Sequence, residues 1–370
     1  MGEGIKKIVV SAINFTEGGP LTVLKECLCY LSHLVSKNST FKIIALVYDK
    51  ELCAFPGIEY IEITASKDSW LKRVYIEYLY FYKLSKKIKP YLWLSLHDIT
   101  PNVVSKKRVV YCHNPTPFYR PNWADTKNDF KISLFSLLYK YLYKINIHKN
   151  DFVIIQQKWL KDEFVDMFKL SQDKVIVAYP KKGKKEKKLN CSAPNLSKKF
   201  FFPSFPRVFK NFEVIGDAVI LLKKRNIINF KVIFTINGTE NKYSRWLFSR
   251  FGHLENINFI GKIDHDNVMQ LYGEVDCLLF PSRLETWGLP ISEFALYNKH
   301  MIIADLPYAR ETASSAMLVS FFNPYSPEEL ADRMEMVIKG ETDLFEEVPN
   351  LDIIPPFTQS WEELFNIILN

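Results

Sequence analysis

The chain has 370 residues, 48% hydrophobic and 24% charged, the balance of a soluble globular protein and a length for two domains of ordinary size. No apolar run approaches the roughly 18 residues of a membrane-spanning helix, and the opening MGEGIKKIVVSAINF enters a strand pattern with no signal-peptide core, so a cytosolic chain is expected. The formal net charge is +8, but eight lysines and one glutamate between Pro180 and Lys199 account for +7 of it, leaving the rest near neutral.

Six cysteines show no C-x-x-C pair and no zinc-like grouping with histidine, and read as reduced and mostly buried. The lysine run has no interleaved aromatics and no nucleic-acid motif beside it, which leaves a solvated linker or attraction to anionic lipid head groups, at about 1 kcal/mol per basic residue near a surface.

In chain order, residues 5–13 read as a first strand, NFTEGGP as a loop and 21–34 as a helix, with Gly18 and Gly19 where a bound group could approach the backbone closely. Strand patterns recur at 41–49, 58–64, 91–96 and 107–113, alternating with helical ones, which implies a parallel, doubly wound sheet. No G-x-G-x-x-G follows the first strand, so no dinucleotide cofactor is implied. His97, followed by Asp98, and His113 fall at the carboxyl ends of two successive strands, where open sheets bind ligands.

Residues 69–87 place Trp70, Leu71, Val74, Tyr75, Tyr78, Leu79 and Tyr82 at helical spacing with basic residues at both ends. That face either packs into the core or lies in a lipid head-group layer. Residues 117–145, rich in Tyr, Phe and Lys, would extend the surface. Strands at 151–156 and 174–180 close a first domain, expected over 1–180, before a lysine-rich linker over 181–199.

A second domain, expected over 200–355, opens as strand, loop and helix. Arg207 and Lys210 precede its first helix, where cations at a sheet's carboxyl edge suit a diphosphate. Strands follow at 230–238, 256–263 and 276–280. The last leads into FPSRLETWGLPISEFAL, in which Glu285 and Glu293 stand eight apart, one in the loop and one in the first helical turns. The amides of Thr286, Trp287, Gly288 and Leu289 lie between them and would face phosphates. SPEELADRMEMVIKG is a capped amphipathic helix, and residues 356–370 are expected as a final helix crossing back to the first domain.

Strand, then P-S-R-x-E-T-x-G-L-P-x-x-E-x-A, resembles the E-x7-E signature of the retaining GT-B glycosyltransferases of family 4. The resemblance runs along nearly the whole chain and is far more specific in the second half. It implies an α/β GT-B fold, two Rossmann-like doubly wound domains facing an interdomain cleft, with donor in the C-terminal domain and acceptor in the N-terminal one. It also implies that Glu285 faces the donor sugar hydroxyls, Glu293 the ribose, and Gly261 and Ile263 the nucleobase. Gly18 and Gly19 would lie beside the donor phosphates, His113 over the sugar and pyrophosphate, and His97 and Asp98 on the acceptor side. The family's usual Arg and Lys stand five apart; here Phe205 holds the arginine's position, so Lys210 carries over directly and Arg207 is a displaced substitute.

The activity so implied is transfer of a sugar from a UDP- or GDP-sugar to a saccharide acceptor, polyprenyl-linked, at the inner face of a bacterial membrane, with neither cofactor nor metal. No D-x-D-like element stands at a strand end with supporting ligands. A GT-B phosphorylase or epimerase, or a silent nucleotide-sugar-binding protein, would use the same pocket, whereas nucleic-acid binding has little in its favour.

Overall fold

A computed structural model describes residues 5–37, 40–180 and 197–370. In chain order, β1 (Lys6–Ala12), α1 (Gly18–Lys37), β2 (Phe41–Val47) and β3 (Ile58–Glu62) come first. A rod follows, made of α2 (Trp70–Tyr75), a π-helical turn over Ile76–Tyr80 and α3 (Phe81–Ile88). Then come β4 (Leu92–Ser95), β5 (Lys107–Tyr111), α4 (Trp123–Asn128), α5 (Phe130–Lys144), β6 (Phe152–Ile155), α6 (Lys158–Phe168) and β7 (Val175–Ala178). The later half supplies β8 (Lys198–Phe202), α7 (Phe212–Lys224), β9 (Phe230–Phe234), α8 (Lys242–Phe251), β10 (Ile257–Phe259), α9 (His265–Glu274) and β11 (Cys277–Phe280). It ends with α10 (Leu289–Phe294), β12 (His300–Ala304), α11 (Pro307–Thr312), β13 (Val319–Phe322), α12 (Pro327–Lys339), β14 (Phe357–Thr358) and α13 (Trp361–Leu369).

These elements form two compact units. The first holds the described residues within 5–117, 138–180 and 353–370; the second holds 118–137 and 197–352. The first is built on an eight-stranded sheet ordered β14-β7-β6-β5-β4-β1-β2-β3, the second on a six-stranded sheet ordered β10-β9-β8-β11-β12-β13. Every strand pair in both sheets is parallel. Parallel strands are covered on both faces, which is why they read as continuous apolar runs: Ile8, Val9 and Val10 in β1 and Phe200, Phe201 and Phe202 in β8 are all fully buried.

Three segments differ from the sequence reading. The 118–137 stretch packs with the second unit, although the chain on both sides of it belongs to the first. Residues 357–358 are a strand: consecutive prolines at 355 and 356 bar a helix there, and the Tyr179 amide instead donates to the Thr358 carbonyl at 3.0 Å. The strand β8 begins at Lys198, two residues inside the expected linker, of which 181–196 lie outside the described residues. Among the described residues no helix is long and apolar enough to cross a membrane.

Of the two readings of the aromatic rod, packing of the whole stripe into the core is the one that does not hold. Trp70, Leu71, Tyr75, Leu79 and Tyr82 face outward, and the buried side is carried by Ile76, Glu77, Phe81 and Ser85. Glu77, in the π-helical turn, is fully buried. Arg73, one turn earlier, donates from Nε to its Oε1 at 3.0 Å and from Nη2 to the His97 carbonyl at 3.3 Å. The His97 ring lies 3.4 Å from the same carboxylate oxygen and is also fully buried, so burial holds it neutral, far below the ordinary imidazole range. Burial likewise pushes the Glu77 carboxyl up to about 7 against the pull of Arg73.

Two expectations follow. In α7, a Cβ on Gly216 would come within 2.5 Å of the ring of Phe251, which is fully buried and cannot swing aside. Gly216→Ala should therefore destabilise the second unit by about 1–3 kcal/mol of overpacking, less up to ~1 kcal/mol of helix propensity, seen as a lower urea midpoint. Glu77, with its folded pKa raised, favours folding below the unfolded carboxylate range and loses that contribution as pH rises through about 7. Glu77→Gln cannot titrate, so its unfolding free energy relative to the parent should climb by about 2 kcal/mol between roughly pH 5 and 8 in denaturant titrations.

Candidate functional site

In the six-stranded sheet, strand order reverses between β8 and β11, and the loops after these two strands diverge to opposite faces. Each loop delivers one charged side chain to that crevice. Lys210, at the end of a short 3-10 turn after β8, pairs with Glu285 in the loop after β11. Both are mostly enclosed, and the ammonium also lies 5.8 Å from the Phe209 and Phe280 ring centres. Asn211 fixes this corner. It sits in the left-handed region at φ 60° and donates from its side chain to the Pro281 carbonyl at 3.2 Å and the Pro324 carbonyl at 2.7 Å.

Arg207 stands apart from the pair: it is exposed and stacks on Phe205 at 5.2 Å, the residue that displaces it from the family's arginine position. Glu293 lies on α10, where its carboxylate accepts from the Tyr272 hydroxyl at 3.2 Å and contacts His265 Nε2 at 3.2 Å. Gly288 begins that helix at φ 87°, a conformation natural to glycine. Trp287 is buried, its carbonyl accepting from the Thr312 hydroxyl, while Leu289 is exposed and Thr286 lies beside it in the loop. Gly261 and Ile263 follow β10 at the same sheet edge, Gly261 at φ 78°.

The first unit has its own reversal between β1 and β4. Around it a cavity of about 400 Å³ is lined by Asn14, Thr16, Glu17, Lys67, Asp98 and His113, among others. Gly18 adjoins it at φ 66°, and a Cβ on Gly19 would meet nothing within 4 Å, so the protein itself does not require glycine there. Asp98 is the organiser. Held at φ 70°, it accepts at Oδ1 from the His113 amide at 2.7 Å, the Asn114 amide at 3.1 Å and the Tyr143 hydroxyl at 3.0 Å, and at Oδ2 from the Tyr139 hydroxyl at 3.2 Å.

His113 Nε2 contacts the Leu96 carbonyl, and its ring packs on Phe15 and Tyr111 at 5.3 and 4.9 Å. Burial lowers its basicity, partly opposed by Asp98. His97 does not line the cavity, being enclosed against Glu77, so Asp98 alone of that pair reaches it. A larger cavity, about 600 Å³, lies between α1 and α13 and is lined by neither Asp98 nor His113.

Reading by residue type missed three participants. Asn211, next to Lys210, carries no motif of its own. Arg283 stands inside the P-S-R-x-E motif without a role, and Asp125 belongs to an N-x-x-D capping box whose signal lay in the sequence. Among the described residues, no group of three or more His, Cys, Asp or Glu is placed to hold a metal ion.

In sequence, residues 184–348 match the family described as Glycosyl transferases group 1. No curated protein matches the chain. Among solved structures, a glycosyltransferase from Rickettsia africae ESF-5 is 18% identical, with 92% of this chain and 90% of that one covered and a TM-score of 0.63. The lipopolysaccharide outer core galactosyltransferase WaaB is 14% identical, with 91% of each chain covered and a TM-score of 0.64. HepE of Anabaena, solved in complex with UDP and glucose, is 14% identical, with 92% of each chain covered and a TM-score of 0.57. Likeness at these identities is likeness of fold. The chain thus carries a glycosyl transferases group 1 domain within its second unit, and its two parallel α/β sheets are those of the GT-B glycosyltransferase fold.

Proposed function

We propose that the protein is a retaining, family 4-type glycosyltransferase that moves a sugar from a UDP- or GDP-sugar to a hydroxyl of a saccharide acceptor. The observation that carries this reading is the meeting of Lys210 and Glu285 at the strand-order reversal of the domain that matches Glycosyl transferases group 1. In this role Glu285 accepts hydrogen bonds from donor sugar hydroxyls. Lys210, with Arg207 as a second cation, takes the charge that grows on the departing diphosphate, with the amides of Thr286, Trp287, Gly288 and Leu289 as further donors. Glu293 holds the ribose, and Gly261 and Ile263 border the base.

Retention is assigned to front-side attack. The bond from the anomeric carbon to phosphate oxygen breaks as the acceptor oxygen bonds the same face, and the acceptor proton passes to the leaving phosphate. No metal or other cofactor enters the scheme. Asp98, in the cavity of the first unit, is proposed to border the acceptor. The acceptor is proposed to be polyprenyl-linked, in bacterial surface-polysaccharide synthesis, with the protein resting on the inner face of the membrane. The exposed Trp70, Leu71, Tyr75 and Leu79, with Lys86 lying 4.3 Å over the Tyr82 ring, support that placement.

The test is a panel of UDP-, GDP-, dTDP- and ADP-sugars without acceptor, following nucleotide diphosphate release and the identity of the sugar product. One donor should be hydrolysed slowly; Glu285→Gln should lower turnover by about 100-fold or more, and Glu293→Gln should mainly raise KM, by about 10-fold. Equal, small effects of both substitutions would reject the assignment, and sugar 1-phosphate or an epimerised nucleotide sugar would identify a phosphorylase or epimerase. For the membrane, flotation with vesicles containing anionic lipid should carry the protein upward, more weakly after Trp70→Ser/Leu71→Ser; no association of the parent would reject that part.

A further inference from the structure

We infer that Arg283 and Asp125 are a buried positioning pair for the Lys210–Glu285 site, so that the segment 118–137 holds the donor loop in register; this rests on the donor-site reading given above. Arg283 stands two residues before Glu285. Its amide donates to the Phe209 carbonyl at 2.7 Å, and its Nη2 donates to the Val208 carbonyl at 2.8 Å. Phe209 and Val208 are the two residues that lead into Lys210. One arginine therefore staples the turn bearing the ammonium to the loop bearing the carboxylate.

The staple needs a counter-charge, because the Arg283 side chain is only 4% exposed. Asp125 supplies it as a two-pronged contact, 2.6 Å from Nη2 to Oδ1 and 3.1 Å from Nη1 to Oδ2, and is itself 2% exposed. Glu213 on α7 is a more distant partner at 3.6 Å. Asp125 is oriented before it meets the arginine: the Tyr119 hydroxyl donates to Oδ2 at 2.8 Å, and the Asn122 amide donates to the same oxygen at 2.9 Å. A planar guanidinium can serve the carboxylate and the carbonyl together; a lysine ammonium has no such fork. Withdrawing Asp125 leaves a dry cation short of a partner, and the loop must shift to hydrate it, taking Glu285 away from Lys210.

Asp125 comes from a stretch that packs with the second unit although the chain before and after it belongs to the first. Residues remote in sequence from the E-x7-E motif thereby set its geometry.

The experiment is hydrogen exchange, by mass spectrometry, on the parent, Asp125→Asn, Arg283→Lys and the milder Tyr119→Phe, combined with donor hydrolysis. Expected in Asp125→Asn and Arg283→Lys is exchange at least about 10-fold faster in peptides spanning 205–213 and 281–288, with 230–260 unchanged, and about 3-fold faster in Tyr119→Phe. With a responsive donor, kcat should fall by about 10-fold or more while KM stays within about 3-fold, the signature of a misplaced rather than a missing contact. Unchanged exchange at 281–288 in the folded variants, or acceleration spread equally over 230–260, overturns the inference. Should Asp125→Asn not fold, Tyr119→Phe decides between the same outcomes. A parent that turns over no nucleotide sugar yet shows the exchange pattern keeps the positioning pair and defeats the functional reading; turnover without the pattern does the reverse.

Discussion

A parallel sheet can place side chains from distant parts of the chain at one point only where its strand order reverses. Elsewhere along the carboxyl edge, successive loops turn toward the same face and crowd one another. In the second unit the reversal separates β8 from β11, and the residues that follow these strands are Lys210 and Glu285. Three consecutive buried phenylalanines in β8 anchor the first loop, and the fully buried β11 anchors the second. The ion pair is consequently an outcome of sheet topology, with Asn211 and Arg283 fixing what topology leaves free. In the first unit hydrogen bonds take the place of charge: Asp98, after β4, gathers the loop that follows the neighbouring strand β5.

Each unit also pairs an enclosed arginine with a buried carboxylate, and the two cases differ in a way that explains their chemistry. Arg73 meets Glu77 on its own helix, and the second carboxylate oxygen of Glu77 has no hydrogen-bond partner among the described residues. An incompletely solvated carboxylate prefers its proton, so that site titrates upward. Arg283 meets Asp125, whose two oxygens are both engaged by the guanidinium, one of them also by Tyr119 and Asn122. Engagement of both carboxylate oxygens lets a charge pair persist in a dry place, even though Arg283 Nε has no hydrogen-bond partner among the described residues.

Much of this fold was legible because parallel strands are apolar on both faces and stand out as runs. The E-x7-E segment was legible for a different reason: its glycine, prolines and acids occupy a fixed pattern inside a single strand-loop-helix unit. What was not legible depends on partners distant in sequence. Arg283 reads as any loop arginine until Asp125, 158 residues away, is placed beside it. In the rod, the aromatic stripe drew the eye from the face that packs, because a buried Glu77 carries no hydrophobic signal. The strand at 357–358 is two residues long and exists only because β7 offers it an edge, so no local periodicity could announce it.

The way the units are cut from the chain bears on how the protein is made. The core of the first unit includes Leu364, Phe365 and Ile368 of α13, packed with Leu24, Cys27 and Leu28 of α1. A ribosome that has finished β7 must therefore synthesise all of the second unit except its 118–137 stretch before the residues that close the first one emerge. At 5–20 residues per second that interval is roughly ten to thirty seconds. Throughout it the apolar flank of α1 awaits its cover, and by its end the second unit, whose segments lie entirely between residues 118 and 352, has every strand it needs. Completion of the nascent protein thus runs from the inside of the chain outward.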